Sequence, residues 1–341
     1  MSCPPLSALT TLRVGGPARA CVEATTADEV VEAVRSADAA AEPVLLVAGG
    51  SNLLVADEGF DGTVVLVRTR GVEVLSGDWC GGVTVRVAAG ESWDALVERA
   101  VASGWSGVEA LSGIPGSTGA TPVQNVGAYG QEVADTIASV RTWDRAEQRV
   151  RTFAVAECGF AYRWSRFKAA PHRWVVLDVT FQLPIADLSA PVRYAELART
   201  LGVEVGQRAP LDDVRQAVLG LRRGKGMVLD PADHDTWSAG SFFTNPVLDA
   251  ADVPEGAPRF DAGDGRVKTS AAWLIEHAGF GKGHGLPGPA ALSTKHTLAL
   301  TNRGGATAAE LVALAREVRD GVRARYGIEL VSEPVLVGCS L

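Results

Sequence analysis

Five short strings carry the residues whose types and spacing suit chemistry. In AGGSNLLV (48–55) the backbone of Gly49 and Gly50, with the Ser51 and Asn52 side chains, suits a nest of N–H groups for a phosphate or pyrophosphate. The competing reading is a tight turn between two strands. GIPGSTGATPVQNVGAYG (113–130) combines backbone-exposing glycines, the stiffening Pro115 and Pro122, and directed hydrogen-bonding groups on Gln124, Asn125 and Tyr129. That composition suits wrapping a rigid, flat, partly polar ligand; the competing reading is an ordinary long surface loop. In CGFAYRWSRFK (158–168), Arg163 sits among Tyr162, Trp164 and Phe167, a setting for planar carboxylate recognition or a surface cation–π contact. SAGSFFTNP (238–246) places Ser241 between Gly240 and a Phe pair. No histidine stands near it in sequence, so a proton-donor role fits better than acyl transfer, and a buried turn is the plain alternative. Glu333, in IELVSEPVLVG, is a carboxylate in an apolar strand-like run: either paired and functional, or a solvent-facing residue of an edge strand.

The elements around these strings read as mixed α and β. Thr26-Ala-Asp-Glu29 is a capping box opening a helix with Val30, Val31 and Val34 on one face. Residues 43–50, 63–67 and 83–89 read as strands, and 93–103 as a helix stopped by Gly104. Strands follow at 136–144 and 175–183, the latter alternating Leu177, Val179, Phe181 and Leu183 with polar residues. Leu211 to Arg222 reads as a helix, and glycine with Asp-Pro breaks the pattern after it. Beyond lie a helix from Thr269, a strand at 297–301, and a long helix opened by the capping box Thr307-Ala-Ala-Glu310, with Leu311, Leu314, Val318 and Val322 in one stripe. The expected division is 1–75, 76–226 and 227–341, with the final strand returning to the first part.

Composition narrows the field. The 341 residues, 47% hydrophobic and 21% charged, exclude wholesale disorder. A net charge of −8 disfavours general binding to nucleic acid or anionic lipid, so an anionic ligand needs a local site. No apolar run approaches the ~18 residues of a membrane span, and the N-terminus lacks the pattern of a signal peptide. Cys3, Cys21, Cys80, Cys158 and Cys339 are scattered and odd in number, which reads as reduced thiols in a cytoplasmic protein. No metal is expected: His172, His234, His277 and His284 show no ligand spacing. The GxGxxG at 283–288 follows a helix rather than a strand, so it fails as a Rossmann fingerprint, and GKG at 224–226 lacks the Ser/Thr of a P-loop.

Read in order, LTTLRVGGPA, GGSNLL, SGIPGSTGATPVQNVGAYG, FAYRWSRFK, AGSFFTNP, WLIEHAGFGKG, KHTLALTN and LVSEPVLVG cover nearly the whole chain. In that order and spacing the chain resembles the UDP-N-acetylenolpyruvoylglucosamine reductase family, flavoenzymes of bacterial peptidoglycan synthesis. The resemblance implies an α+β fold: an FAD-binding domain of the vanillyl-alcohol-oxidase (PCMH) type in two subdomains, plus a C-terminal α+β substrate-binding domain.

Carried onto matching positions, it implies non-covalent FAD held by Ala48, Gly49, Gly50, Ser51, Asn52 and Leu53 near the pyrophosphate. Ile114, Pro115, Gly116, Ser117, Gly119, Thr121, Val123, Asn125, Gly127 and Ala128 would lie near the isoalloxazine. It implies Arg163, Ser241 and Glu333 as catalytic, the serine as the acid, and Tyr129, Tyr162, Tyr194, Lys225, Asn245 and His296 as substrate-binding. The implied reaction is reduction of UDP-N-acetylglucosamine enolpyruvate, with NADPH as co-substrate in a ping-pong cycle. The partners are therefore this small-molecule substrate and NADPH, with neither nucleic acid nor membrane. Three positions depart from the family pattern: Ala48 replaces a usual glycine, Met227 a usual lysine and Leu229 a usual proline, leaving Lys225 to take the lysine's place. Two alternatives stay open: another FAD-dependent oxidase or dehydrogenase of the same fold, lacking the Arg163/Ser241/Glu333 set, and a non-catalytic nucleotide-binding module without flavin.

Overall fold

The structure is a computed structural model and describes residues 3–78 and 81–341. Cys80, one of the cysteines read as a thiol, lies outside the described residues; the other four are thiols. The chain divides into two compact units that interleave along the sequence. One comprises 19–49 and 61–223; the other comprises 1–18, 50–60 and 224–341. The expected cuts after 75 and 226 are linear, whereas both units here are discontinuous.

The unit of 19–49 and 61–223 is built on two sheets. The smaller has the order Ala18–Ala24, Phe60–Val67, Val44–Val47, with the last two strands parallel. The helix Ala27–Ala39 is capped as expected, Thr26 accepting from the Glu29 N–H, and it buries Val30 and Val34. The larger sheet is antiparallel, in the order Arg149–Ala154, Ile137–Asp144, Trp174–Leu183, Gly82–Ala88, Val72–Asp78. Its central strand places Val179 opposite both Val140 and Val87, and Phe181 opposite Val85, so alternate residues share one face. Helix Trp93–Ala102 covers that face with Trp93, Leu96, Val97 and Ala100, and the Trp93 and Phe181 ring centroids lie 5.9 Å apart. The edge strand Val72–Asp78 was not read from the sequence: among the described residues one edge is unpaired, and most of the strand is exposed, so it lacks a clean apolar alternation. Helices Ala195–Leu201 and Leu211–Gly224 close a separate apolar cluster around Val214 and Val218.

The other unit centres on the helix Ala308–Tyr326, whose Leu311, Leu314, Val318 and Val322 are buried as their spacing requires. Helix Ala271–His277, Phe242, Phe243 and Leu54 pack into the same core. The strand expected at 297–301 is found at Leu300–Asn302, paired with Ala290–Leu292. Residues 297–299 are diverted into a turn in which the Ala299 N–H donates to His296. The run expected to be strand-like near the C-terminus is regular only at Val335–Val337, parallel to Leu53–Val55. Among the described residues no helix is long and apolar enough to cross a membrane, and no group of three His, Cys, Asp or Glu could hold a metal.

Candidate active site

The loop at 113–130 is largely withdrawn from solvent, unlike an ordinary surface loop. Its path is held by main chain: Thr118 N–H donates to Glu91, Gly119 N–H to Ala89, and Gly116 accepts from the Trp93 N–H. The glycines are required by proximity. A Cβ on Gly119 would lie 2.4 Å from the Ala89 Cβ. A Cβ on Gly49 would lie 2.5 Å from the Gly116 Cα, so the two glycine loops meet backbone to backbone. Gly116 itself has φ +120°, and Gly113 +71°. Ala48, where the family pattern has glycine, keeps the approach: its carbonyl accepts from Arg68 Nη1 at 2.7 Å. The hydroxyl of Thr118 is buried and makes no hydrogen bond among the described residues. Bare backbone, left-handed glycines and a spare buried hydroxyl fit a flat cofactor with polar edges, which is what FAD would require.

Arg163 is delivered to this loop by a tight turn. The N–H and carbonyl groups of Ala161 and Trp164 are mutually paired, and Arg163 adopts φ +52° within the turn. Its Nη2 donates to the Gly127 carbonyl at 2.9 Å, and the Arg163 carbonyl accepts from Lys168 Nζ at 3.1 Å. Tyr162 lies beside the guanidinium, 5.5 Å from ring centroid to Cζ. Asn125, at φ +47°, donates to Glu132 at 2.6 Å and to the Ala161 carbonyl at 3.2 Å, joining loop to turn. The Ser165 hydroxyl donates to the Val123 carbonyl at 2.5 Å. Three non-glycine residues, Asn125, Tyr129 and Arg163, hold left-handed backbone here, and strain of that kind collects at functional sites. Tyr129 sits at the turn of the hairpin pairing Gly127 with Glu132 and Ala128 with Gln131, and its ring meets that of Tyr194 edge-on at 5.5 Å.

In the other unit the strings come together as main-chain ribbons. Gly50, at φ +60°, lies against LTTLR: a Cβ there would fall 1.8 Å from the Leu9 carbonyl oxygen, and Gly50 accepts from the Thr11 N–H. Asn302, from KHTLALTN, donates to the carbonyls of Leu12 and Arg13. Glu333 donates its N–H to Phe242, the residue after Ser241, at 2.8 Å, and its carbonyl accepts from Asn52 Nδ2 at 3.3 Å. Glu333 is half-buried in a bridged segment, so it is not the fully buried carboxylate the apolar flanks suggested. Ser241 is half-buried too, beside two fully enclosed phenylalanines. Asn245 spends its carbonyl oxygen on the Ala271 N–H at the start of helix Ala271–His277.

Sequence reading missed three polar anchors. Glu109 is wholly buried and accepts three hydrogen bonds. Arg222 is buried on the last turn of helix Leu211–Gly224; burial pushes its pKa down to about 10, with Tyr129 and Asp94 acting against that fall. Asp235 is buried and accepts from the Thr294 N–H and hydroxyl and from Arg303. Although burial opposes it, those donors hold the Asp235 carboxyl below its usual range. A Cβ on Gly226 would lie 3.0 Å from the Asp235 carbonyl oxygen, so this residue links the segment carrying Lys225 to that carrying Lys295 and His296. Each anchor stands in the sequence as an unremarkable charge; only burial distinguishes it.

Comparison with known proteins agrees with both halves of this picture. Residues 18–153 match a family described as an FAD binding domain, and 230–337 match the C-terminal domain of UDP-N-acetylenolpyruvoylglucosamine reductase. The UDP-N-acetylenolpyruvoylglucosamine reductase of Cutibacterium acnes is 61% identical over 99% of this chain and 90% of its own length. That of Thermobifida fusca is 57% identical over 99% and 98% respectively. The crystal structure of the Thermus caldophilus enzyme superposes with a TM-score of 0.66 at 27% identity, covering 98% of this chain and 97% of its own. With an FAD-binding domain ahead of that C-terminal domain and such identity along its full length, the chain belongs to the UDP-N-acetylenolpyruvoylglucosamine reductase family and is an FAD-dependent oxidoreductase.

Proposed function

We propose that the protein reduces the enolpyruvyl double bond of UDP-N-acetylglucosamine enolpyruvate to give UDP-N-acetylmuramate, with NADPH as reductant, as a cytoplasmic step of bacterial peptidoglycan synthesis. The observation that carries this reading is Arg163, a guanidinium held by a strained turn against the Gly127 carbonyl of the glycine-rich loop. A double bond conjugated to a carboxylate gathers negative charge on that carboxylate when its far carbon accepts hydride. A fixed cation is the group that stabilises such charge, and it does so best where water is excluded.

Bound FAD would supply the two-electron hydride chemistry. Ala48 to Leu53 and the loop from Ile114 to Ala128 would hold it, non-covalently, since neither string contains Cys or His. Arg163 and Glu333 would polarise the substrate carboxylate. The Ser241 hydroxyl would protonate the adjacent carbon, a general-acid role worth about 10²–10⁴ in rate. Tyr129, Tyr162 and Tyr194 would line the substrate, while Lys225, Asn245 and His296 would take its uridine-diphosphate side. No Rossmann fingerprint serves the nicotinamide, so NADPH and substrate would use one site in turn. In this reading 1–75 and 76–226 serve the flavin and 227–341 the substrate.

The test is spectroscopic. Purified protein should show flavin absorbance, lose it on anaerobic NADPH, and regain it on adding the enolpyruvyl sugar nucleotide. Recovery with oxygen but not with that substrate would instead mark an oxidase.

A further inference from the structure

Glu109 is the most completely enclosed carboxylate near the loop, with no accessible surface. Its partners are two backbone N–H groups and one amide. Oε2 accepts from the Gly107 N–H at 2.6 Å; Oε1 accepts from Gln131 Nε2 at 2.8 Å and from the Ala190 N–H at 2.7 Å. Gln131 is oriented in turn, because its Oε1 accepts from the Ala110 N–H at 2.8 Å. A carboxylate in this position joins three segments distant in sequence. Replacing it leaves a buried donor on Gln131 and two half-buried ones at Gly107 and Ala190 short of acceptors, which is costly wherever water cannot enter.

Two of these segments lead to residues of the candidate site. Gln131 pairs with Ala128 across the hairpin that turns at Tyr129, and the same hairpin offers the Gly127 carbonyl to Arg163. Ala190 begins the run to Tyr194, whose ring packs edge-on against Tyr129. We infer that Glu109 is a positioning residue: one buried carboxylate sets the relative placement of Tyr129 and Tyr194 and, through the hairpin, of Arg163. It touches no reacting atom and acts through Gln131 and the Ala190 N–H. This rests on the function proposed above.

The experiment uses the FAD-loaded full chain. Glu109→Gln keeps the shape but offers one acceptor where three donors converge, so at least one hydrogen bond is lost. The variant should retain flavin and lose about 10²-fold in kcat/KM with the enolpyruvyl sugar nucleotide, the scale of a small misplacement of binding groups. In a Tyr194→Phe background the same change should cost clearly less, because both act through one element. Unchanged kcat/KM, or losses that simply multiply, overturns the inference. If Glu109→Gln does not fold, Gln131→Met cuts one arm alone and should show the same loss in the same direction. Failure of both to fold would make Glu109 a stability residue and also overturn it. A wild-type protein that does not turn over this substrate overturns the proposed function; a wild type that does, beside unaffected variants, overturns the positioning role alone.

Discussion

The main-chain N–H of Glu333 donates to the carbonyl of Phe242 at 2.8 Å, which registers the C-terminal segment against the residue that follows Ser241. The Phe242 N–H donates in turn to Leu298, and Phe243 is bridged to Ser332. Ser241 therefore sits on a ribbon clamped on both sides, with its hydroxyl on a fixed base rather than on a mobile loop.

This bears on Ser241→Ala. If the hydroxyl is the acid, the variant should keep its flavin and bleach at a normal rate with anaerobic NADPH. Reoxidation by the enolpyruvyl substrate should slow at least about 10²-fold, the lower range for losing a general acid. Stopped-flow separation of the two half-reactions reads this directly. Equal slowing of both would indicate disturbed flavin geometry, and normal reoxidation would remove Ser241 from the mechanism.

Gly49→Ala is expected to empty the flavin site. The added methyl would lie 2.5 Å from the Gly116 Cα, so the two loops must separate. Overpacking of this kind costs about 1–3 kcal/mol, and the displaced backbone is what the cofactor needs. Flavin content per protein, measured after acid precipitation, should fall sharply from the wild-type value. In the wild type all of the flavin should appear in the supernatant; colour remaining with the pellet would mean a covalent link.

NADPH and the enolpyruvyl sugar nucleotide should exclude one another. Initial-rate plots at several fixed NADPH concentrations should be parallel, with inhibition at high substrate. Intersecting lines would show that both bind together and would refute the shared site.

Asp94 ties helix Trp93–Ala102 to Arg215 at 2.7 Å and to the Gly113 N–H at 2.6 Å, where the loop begins. Burial alone would raise the carboxyl; the Arg215 guanidinium and the Gly113 N–H outweigh it and hold the pKa below its usual value. A folded pKa below the unfolded one of about 3.9 means the stabilisation is complete above that value and is lost as pH falls through the lowered one. The Asp94 side chain is 36% exposed, so after discounting for solvent the link is worth about 1 kcal/mol. Asp94→Asn should lower the melting temperature at pH 7 and flatten its dependence on pH at the acid end. An unchanged acid slope would show that other carboxylates govern it.

Much of the local structure was legible in the residues. Both capping boxes form at Thr26 and Thr307, because a hydroxyl and a carboxylate three apart pair reciprocally with local N–H groups, while the next two N–H groups of the second helix, at Ala308 and Ala309, are taken by the distant Asp57. The helical stripe of Leu311, Leu314, Val318 and Val322 and the alternation of Val179, Phe181 and Leu183 each name a buried face from period alone, whereas Leu177, beyond a register shift, packs into another cluster. The glycine-rich loop and the strings around Arg163 and Ser241 likewise stand out, since glycine where backbones meet leaves a mark in composition.

What only the tertiary structure decided is which distant segments share a hydrogen bond. The final strand is expected from the sequence to return to the first part, but its partner there, Leu53–Val55, and the parallel register with Val335–Val337 come from the structure alone. Strand pairing depends on backbone N–H and C=O groups, which are the same at every residue and carry no sequence label. Glu109, Arg222 and Asp235 were hidden for a related reason. A charged residue is ordinarily solvated, and its burial depends on neighbours brought from far along the chain: Gln131 and Ala190 for Glu109, Thr294 and Arg303 for Asp235.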